Sequence, residues 1–114
     1  MKFTKTKYYD GCLPSDNKHY KKYKKDYKKR GFDDSVTWSL DESLIKWLTP
    51  RLTRFLEISK QKHDEAKLHK NIKIILKGFN LYLSDDFNEF NLKHTKQLDK
   101  SFKLLAKNYS GLWW

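Results

Sequence analysis

Apolar residues recur at helical spacing along three long segments of this chain. They fall three or four positions apart over residues 40–56, again over residues 68–83, and again over residues 98–109. Residues at this spacing share one face of an α-helix, and that face can pack against other helices. No segment shows a convincing strand pattern, so the sequence predicts an all-α protein, a small bundle of three main helices.

Proline and glycine interrupt two of these patterns. Pro50 lacks the backbone N–H that would bond the carbonyl of Lys46, so we expect a kink or a break into two helices there. Gly78 costs its helix about 1 kcal/mol relative to alanine, and it can permit close helix packing. Ser39 and Glu42 fit a capping box, which predicts that the first long helix begins near Leu40.

A fourth, basic helix is predicted in the stretch HYKKYKKDYKKR, residues 19–30. Its tyrosines, Tyr20, Tyr23 and Tyr27, lie at i, i+3 and i+7, on one face of a helix. We expect this stripe to pack on the core, which leaves the lysines on the outer side. The alternative, a loose arm whose tyrosines stack on unpaired bases, stays open.

The ends of this helix follow from local chemistry. Turn-forming residues crowd the segment before it, so residues 1–17 are expected to be irregular, with Asp16 or Asn17 as the N-cap of a helix over residues 18–30. Gly31 is a natural C-terminal stop. We therefore expect a single domain over residues 1–114, with the helical core at residues 39–114.

The positive charge is uneven. The whole chain has a net charge of +11, and residues 1–31 contain 11 basic and 3 acidic residues. Such asymmetry favours an anionic partner: DNA, RNA, a nucleoprotein or an acidic protein face. Solvated lysines without a partner are the alternative. If a partner binds the N-terminal helix, the candidate contact residues are Lys18, Lys21, Lys22, Lys24, Lys25, Lys28, Lys29 and Arg30.

Metal and catalytic patterns are weak. His63 and His69 are six residues apart, whereas helical ligand pairs lie at i, i+3 or i+4. Glu65 and His69 have the latter spacing, and this pair can either ligate a metal or simply form a hydrogen bond. Cys12 and His19 resemble a nucleophile and a base, but nothing supplies a third group or an oxyanion hole. We expect no metal, no cofactor and no enzymatic activity.

Location follows from what the sequence lacks. No apolar run approaches 18 residues, the N-terminus has no secretory h-region, and the single cysteine excludes an internal disulfide. The expectation is a cytoplasmic protein with no membrane partner. Trp38 is expected to anchor on the helix that follows it, and Leu112 and Trp113 are expected to dock on the core or on a partner.

Two segments carry a resemblance. RGFDDSVTWSLDESLIKWLTPRLTRFLE (residues 30–57) and QLDKSFKLLAKNYSGLWW (residues 97–114) are similar to small phage and prophage proteins of Gram-positive bacteria. The stretch SKQKHDEAKLHKN between them departs from that pattern, and the basic N-terminal helix resembles an addition. The matching residues look like fold-defining positions: Gly31, Asp33, Asp34, Trp38, Leu40, Asp41, Pro50, Leu52, Phe55 and Trp113.

The resemblance implies a phage or prophage origin, and no catalytic role is carried over. Small phage proteins without enzyme motifs often act by binding. The expected function is therefore a non-enzymatic, phage-encoded inhibitor of a host nucleic-acid-targeting defence system, similar to anti-CRISPR proteins that bind a CRISPR-Cas nuclease complex. The partner would be a host defence protein or nucleoprotein, with possible RNA or DNA contact. The alternative is a general nucleic-acid-binding or regulatory phage protein.

Overall fold

A computed structural model describes residues 18–62 and 64–114 of the chain. They form four α-helices, α1 (Tyr20–Arg30), α2 (Leu40–Lys62), α3 (Ala66–Leu83) and α4 (Leu92–Asn108), and two short 3₁₀ helices at Asp34–Thr37 and Tyr109–Gly111. These residues contain no strand, so the prediction of an all-α protein is confirmed. The arrangement of the helices as one bundle stays a prediction.

The chain divides into two compact units within α2, after Trp47. The first unit contains α1, the Asp34–Thr37 helix and the first turns of α2. The second contains the remainder of α2 with α3 and α4. A single domain stays an expectation. The expected irregular segment 1–17, with the proposed caps Asp16 and Asn17, lies outside the described residues, as does His63.

Helix α1 begins two residues later than the predicted range of 18–30. Its N-cap is His19, whose side chain makes no capping hydrogen bond. The helix ends as predicted at Gly31, which has a φ of 85° and donates its N–H to the carbonyl of Tyr27 at 2.8 Å. That left-handed conformation is one that glycine adopts without steric cost.

The tyrosine stripe of α1 packs inward. Tyr23 is buried, while Tyr20 and Tyr27 are half-buried. The Tyr23 ring stacks on His19 at 5.4 Å between centroids and meets the edge of Trp38 at 5.9 Å. The same stripe orients the rest of α1, because a buried tyrosine face leaves the lysines on the outer side. Trp38 contacts α1 in this way while 62% of its surface stays exposed.

After α1, the buried carboxylate of Asp33 caps the turn that leads into the Asp34–Thr37 helix. The Asp33 side chain is fully buried and caps the Asp34–Thr37 helix by accepting hydrogen bonds from the N–H and hydroxyl groups of Ser35. Asp34 is bonded instead by Arg30, whose Nη2 lies 2.7 Å from its Oδ1. Asp33 therefore acts as a helix cap, whereas Asp34 lies in the first turn of the same helix and pairs with Arg30.

Helix α2 runs through Pro50 without a break, so the predicted break is wrong, and a kink stays a prediction. Its buried positions are Ile45, Thr49, Leu52, Leu56 and Ser59. The sequence pattern assigned the whole apolar set of α2 to one packing face. The structure corrects this, because Leu40, Leu44 and Trp47 each expose half or more of their surface.

In the second unit, α3 and α4 form an antiparallel hairpin. Asn71 bonds Asn108 near one end, and Gly78 lies against Ser101 near the middle. Ser101 is fully buried and donates its hydroxyl to the carbonyls of Ile74 and Gln97 at 3.3 and 3.1 Å. The predicted close packing at Gly78 is confirmed, since a methyl group there would lie 1.8 Å from the Ser101 hydroxyl oxygen.

The hairpin is closed by a turn and capped by an asparagine that the pattern did not single out. Ser84 is the C-cap of α3, and its N–H donates to the carbonyl of Leu81. Asn91 caps α4 by accepting from the N–H groups of Lys93 and His94. At the far end, Leu112 is half-buried and Trp113 is 65% exposed, so docking of Trp113 on a partner stays a prediction.

Candidate nucleic-acid interface

The lysines of α1 lie where the sequence predicts them. All eight predicted contact residues are exposed: Lys18, Lys21, Lys22, Lys24, Lys25, Lys28, Lys29 and Arg30. Arg30 is seven residues after the buried Tyr23 and shares its face of α1, whereas the lysines of α1 lie on the other sides of the helix. Arg30 differs from the lysines because its guanidinium is held by Asp34 and lies over the Phe32 ring at 4.9 Å. The free positive charge of α1 therefore belongs to its lysines.

A second basic surface lies on α3 and α4. These two helices contain nine lysines and one carboxylate, Asp99. All nine lysine side chains are exposed. We call them the basic face, and they are Lys67, Lys70, Lys73, Lys77, Lys93, Lys96, Lys100, Lys103 and Lys107. None of these lysines is among the contact residues predicted from the sequence.

Contacts across the hairpin put both lysine rows on one side of it. Gly78 of α3 faces Ser101 of α4, and each residue of an α-helix turns by about 100° from the one before. The residues that follow this pair, Phe79 and Phe102, contact each other with centroids 5.2 Å apart, which identifies the packed side of the hairpin. The residues that precede the pair are Lys77 and Lys100. In an antiparallel hairpin these two lysines lie on the same side, opposite to the side of Phe79 and Phe102.

Helical spacing extends each row. On α4 the lysines recur at intervals of three and four residues from position 93 to position 107, which covers about 21 Å along the axis. On α3 they extend from position 67 to position 77, or about 15 Å. The neighbouring carboxylates lie in the connecting segments at the two ends of the hairpin: Asp64, Glu65, Asp85, Asp86 and Glu89. The middle of the basic face is left strongly positive.

Helix α2 adds a cation at the edge of this face. Hydrogen bonding and charge repulsion from the Lys73 ammonium, followed by a smaller effect of desolvation, lower the pKa of Lys60 from its usual value. Neither lysine forms a salt bridge with any described carboxylate. Like charges on neighbouring lysines repel each other, and an anion bound beside Lys60 and Lys73 would reduce that repulsion.

The histidines fill other roles. His69 is buried, and its Nε2 lies 3.0 Å from the hydroxyl of Ser59, a polar contact that joins α2 to α3. His94 accepts a hydrogen bond from the N–H of Asn88 and stacks on Phe87. Among the described residues, no three His, Cys, Asp or Glu side chains are grouped as metal ligands. Cys12 lies outside the described residues.

An open cleft of about 580 Å³ lies where α3 begins and α4 ends. Its charged lining comprises Lys67 and Lys107 together with Asp64 and Glu65. Because both signs are present in equal number, the cleft has no clear preference for an anion. Only Lys67 and Lys107 of the basic face line the cleft, and its other seven lysines lie outside it.

Comparison with known proteins adds no functional assignment. No family model, curated protein or solved structure matches the chain. The resemblance of residues 30–57 and 97–114 to phage proteins therefore stays an expectation. Within residues 18–62 and 64–114, no helix combines the length and apolar character needed to cross a membrane. The chemistry of the exposed surface is the remaining guide to function.

The sequence contains a signal that could have identified the basic face. The 3-4-3-4 spacing of lysines over residues 93–107 places them on one side of a helix just as it does for apolar residues. Net charge conceals this stripe, because residues 32–114 hold 14 basic and 11 acidic residues. Most of those acids lie in turns or on other helices, so segment totals understate the charge of α3 and α4.

Proposed function

We propose that this protein is a non-enzymatic binding protein that contacts nucleic acid through the phosphate backbone. The observation that carries the proposal is the basic face: nine exposed lysines on one side of the α3–α4 hairpin, with one carboxylate in the same helices. Lysine ammonium groups neutralise phosphates and release condensed counterions, which gives affinity without sequence selectivity. The α1 lysines supply a second surface of the same chemistry.

The test measures binding of a fluorescein-labelled DNA duplex by fluorescence anisotropy from 50 to 300 mM salt. If six to eight lysines contact phosphates, the plot of log K against log salt concentration has a slope of about −5 to −7. A slope near zero, or no binding at the lowest salt, contradicts the proposal.

A matched pair of variants tests which surface makes the contact. One variant carries Lys77→Gln, Lys96→Gln, Lys100→Gln and Lys103→Gln, and the other carries Lys21→Gln, Lys22→Gln, Lys24→Gln and Lys25→Gln. Both lose four charges at exposed positions, and glutamine is close to lysine in helix propensity. The first is expected to reduce the slope by about 3 to 4, roughly one for each lost contact. A smaller loss in the α1 variant assigns the main contact to the basic face, whereas equal losses would mean that the basic face is not the preferred surface.

A second candidate function, inhibition of a host nucleic-acid-targeting defence system, draws on a different surface. Leu40, Leu44 and Trp47 form an exposed apolar stripe on the first turns of α2, and phosphate binding does not use such a stripe. This stripe lies in the segment that resembles phage proteins. An inhibitor would bind a defence nuclease through this stripe and use its lysines against the nucleic acid or an acidic face of the nuclease.

A pull-down separates the two functions. The tagged protein is incubated with lysate of a bacterium that carries a CRISPR-Cas system, with and without nuclease treatment, and captured proteins are identified by mass spectrometry. Retention of a defence nuclease after nuclease treatment, together with its loss in Leu44→Ala/Trp47→Ala, supports the inhibitor. If the captured material disappears on nuclease treatment, backbone binding alone accounts for it.

A further inference from the structure

We infer that the basic face binds double-stranded nucleic acid and contacts phosphates of both strands across one groove. This inference rests on the proposed function and specifies the form of nucleic acid that the α3–α4 hairpin takes. Three features carry it: the two-row layout of the lysines, the length of each row, and the placement of the aromatic side chains.

The lysines form two rows rather than one. One row follows α3 and the other follows α4, and the axes of packed helices lie about 8–10 Å apart. The grooves of B-form DNA are about 6 and 12 Å wide, so two rows at this separation can each follow one strand. A single strand has only one line of phosphates, and it would leave one row without a partner.

The length of the face also suits a duplex. The α4 row covers about 21 Å, which corresponds to about six base pairs at 3.4 Å per step. Successive lysines on this row are about one helical turn apart, so several can engage phosphates simultaneously. Lys60 of α2, whose pKa is lowered by Lys73, adds one more cation beside the α3 row.

Proteins that bind single strands usually stack bases on aromatic side chains. In α3 and α4, all of whose residues the structure describes, the aromatic rings lie away from the lysine rows. Phe79 and Phe102 contact each other on the packed side, and Tyr82 packs against Phe87 of the connecting turn. The two lysine rows thus offer charge without an aromatic ring among them, which favours the outside of a duplex over unpaired bases.

The experiment compares a 20-base-pair DNA duplex with each of its two strands, by anisotropy at a single salt concentration. The expected result is that the duplex binds at least tenfold more tightly than either strand. A second duplex of unrelated sequence should bind with the same affinity within about twofold, because phosphate contacts carry no sequence information. Equal or tighter binding of a single strand overturns the inference while leaving the proposed function intact. Absence of binding to both forms overturns both.

Row-specific variants test the two-strand geometry. Lys70→Gln/Lys73→Gln/Lys77→Gln removes part of the α3 row, and Lys96→Gln/Lys100→Gln/Lys103→Gln removes the same number of charges from the α4 row. Each triple is expected to weaken duplex binding by tenfold or more at low salt. Duplexes in which neutral methylphosphonate linkages replace all phosphates of one strand, or of the other, should each bind wild-type protein more weakly than the unmodified duplex. Unchanged affinity for both modified duplexes, or a silent α3 triple, shows that the two rows do not straddle a groove.

Discussion

Gly78→Ala tests the packing that creates the basic face. The added methyl group would lie 1.8 Å from the Ser101 hydroxyl oxygen and 2.8 Å from the Gln97 carbonyl oxygen, whereas ordinary contacts are 3.4–4 Å. Ser101 is fully buried and its hydroxyl is already bonded to two carbonyls, so it cannot simply rotate away. The Gln97 oxygen belongs to the backbone, so the two helices must separate by about 0.6 Å for that contact alone.

The expected change in the free energy of unfolding combines one stabilising and two destabilising contributions. Alanine gains about 1 kcal/mol over glycine from helix propensity. Overpacking of a close helix contact costs about 1–3 kcal/mol. Weakening the two hydrogen bonds of Ser101 costs about 0.5–1.5 kcal/mol each. We therefore expect Gly78→Ala to lower the free energy of unfolding by about 2–3 kcal/mol, or the midpoint of thermal unfolding by roughly 10 °C.

Urea unfolding followed by circular dichroism at 222 nm measures this change. Ala106→Gly, at an exposed position of α4, calibrates the propensity term and should cost about 1 kcal/mol. Adding Ser101→Gly to Gly78→Ala removes the nearest contacts and should restore part of the lost stability, a coupling that a double-mutant cycle detects. If Gly78→Ala is as stable as the wild type, the hairpin is looser than this contact implies and the argument fails.

Three further predictions concern single polar groups. In the protein without DNA, the pKa of Lys60 should rise in Lys73→Ala, because the neighbouring positive charge is removed. In the wild type, adding duplex should also raise the pKa of Lys60, because a bound phosphate favours the protonated amine. NMR of the side-chain Nζ groups measures both changes, and an unchanged pKa of Lys60 in Lys73→Ala contradicts the pairing. Ser59→Ala should lower the free energy of unfolding by about 1–3 kcal/mol, because the buried His69 loses its hydrogen-bond partner. An unchanged free energy of unfolding in urea would show that water replaces the hydroxyl. Asp33→Ala should lower the free energy of unfolding by about 1 kcal/mol, because the 3₁₀ helix loses its cap. Asp33→Asn should be at least as stable as Asp33→Ala, because asparagine keeps the accepting oxygen and removes a buried charge whose Oδ2 has no partner. Equal stability of Asp33→Ala and the wild type would refute the capping role.

Local patterns in the sequence predicted much of the fold. The apolar spacing on α3 matches the buried positions Leu68, Ile72, Ile75, Leu76, Phe79 and Leu83. Gly31 and Gly78 are informative because each does something only glycine does well: the first adopts a positive φ, and the second allows a helix contact shorter than any other residue permits. Such constraints are local, so a single sequence is enough to recognise them.

The misassignments on α2 have a different cause. Its buried face includes Thr49 and Ser59, which no hydrophobic pattern selects, while Leu40, Leu44 and Trp47 are apolar and exposed. A helix with apolar residues on two sides cannot be oriented from periodicity alone, because which side is covered depends on tertiary contacts. His69 was likewise placed among candidate ligands, although its hydrogen bond to Ser59 depends on how α2 and α3 meet.

The candidate site was missed because charge was summed by segment. The lysines of α1 are concentrated in the sequence, whereas those of α3 and α4 are spread over 41 residues and diluted by acids in the turns. Folding removes that dilution, since the hairpin brings two distant stripes to one side and leaves the carboxylates at its ends. A phosphate backbone responds to local potential over about 8–10 Å, the Debye length in physiological salt, so spatial grouping determines binding.

The two candidate functions therefore respond differently to salt. Binding through the basic face replaces condensed counterions, so its affinity falls by about 10³-fold or more between 50 and 200 mM salt when six or more phosphates are engaged. Binding through Leu40, Leu44 and Trp47 buries apolar surface and carries no such dependence. If a captured partner is retained at high salt but lost in Leu44→Ala/Trp47→Ala, the apolar stripe makes the contact. If it is released by salt and by the α3–α4 lysine substitutions, the partner is held through its phosphates.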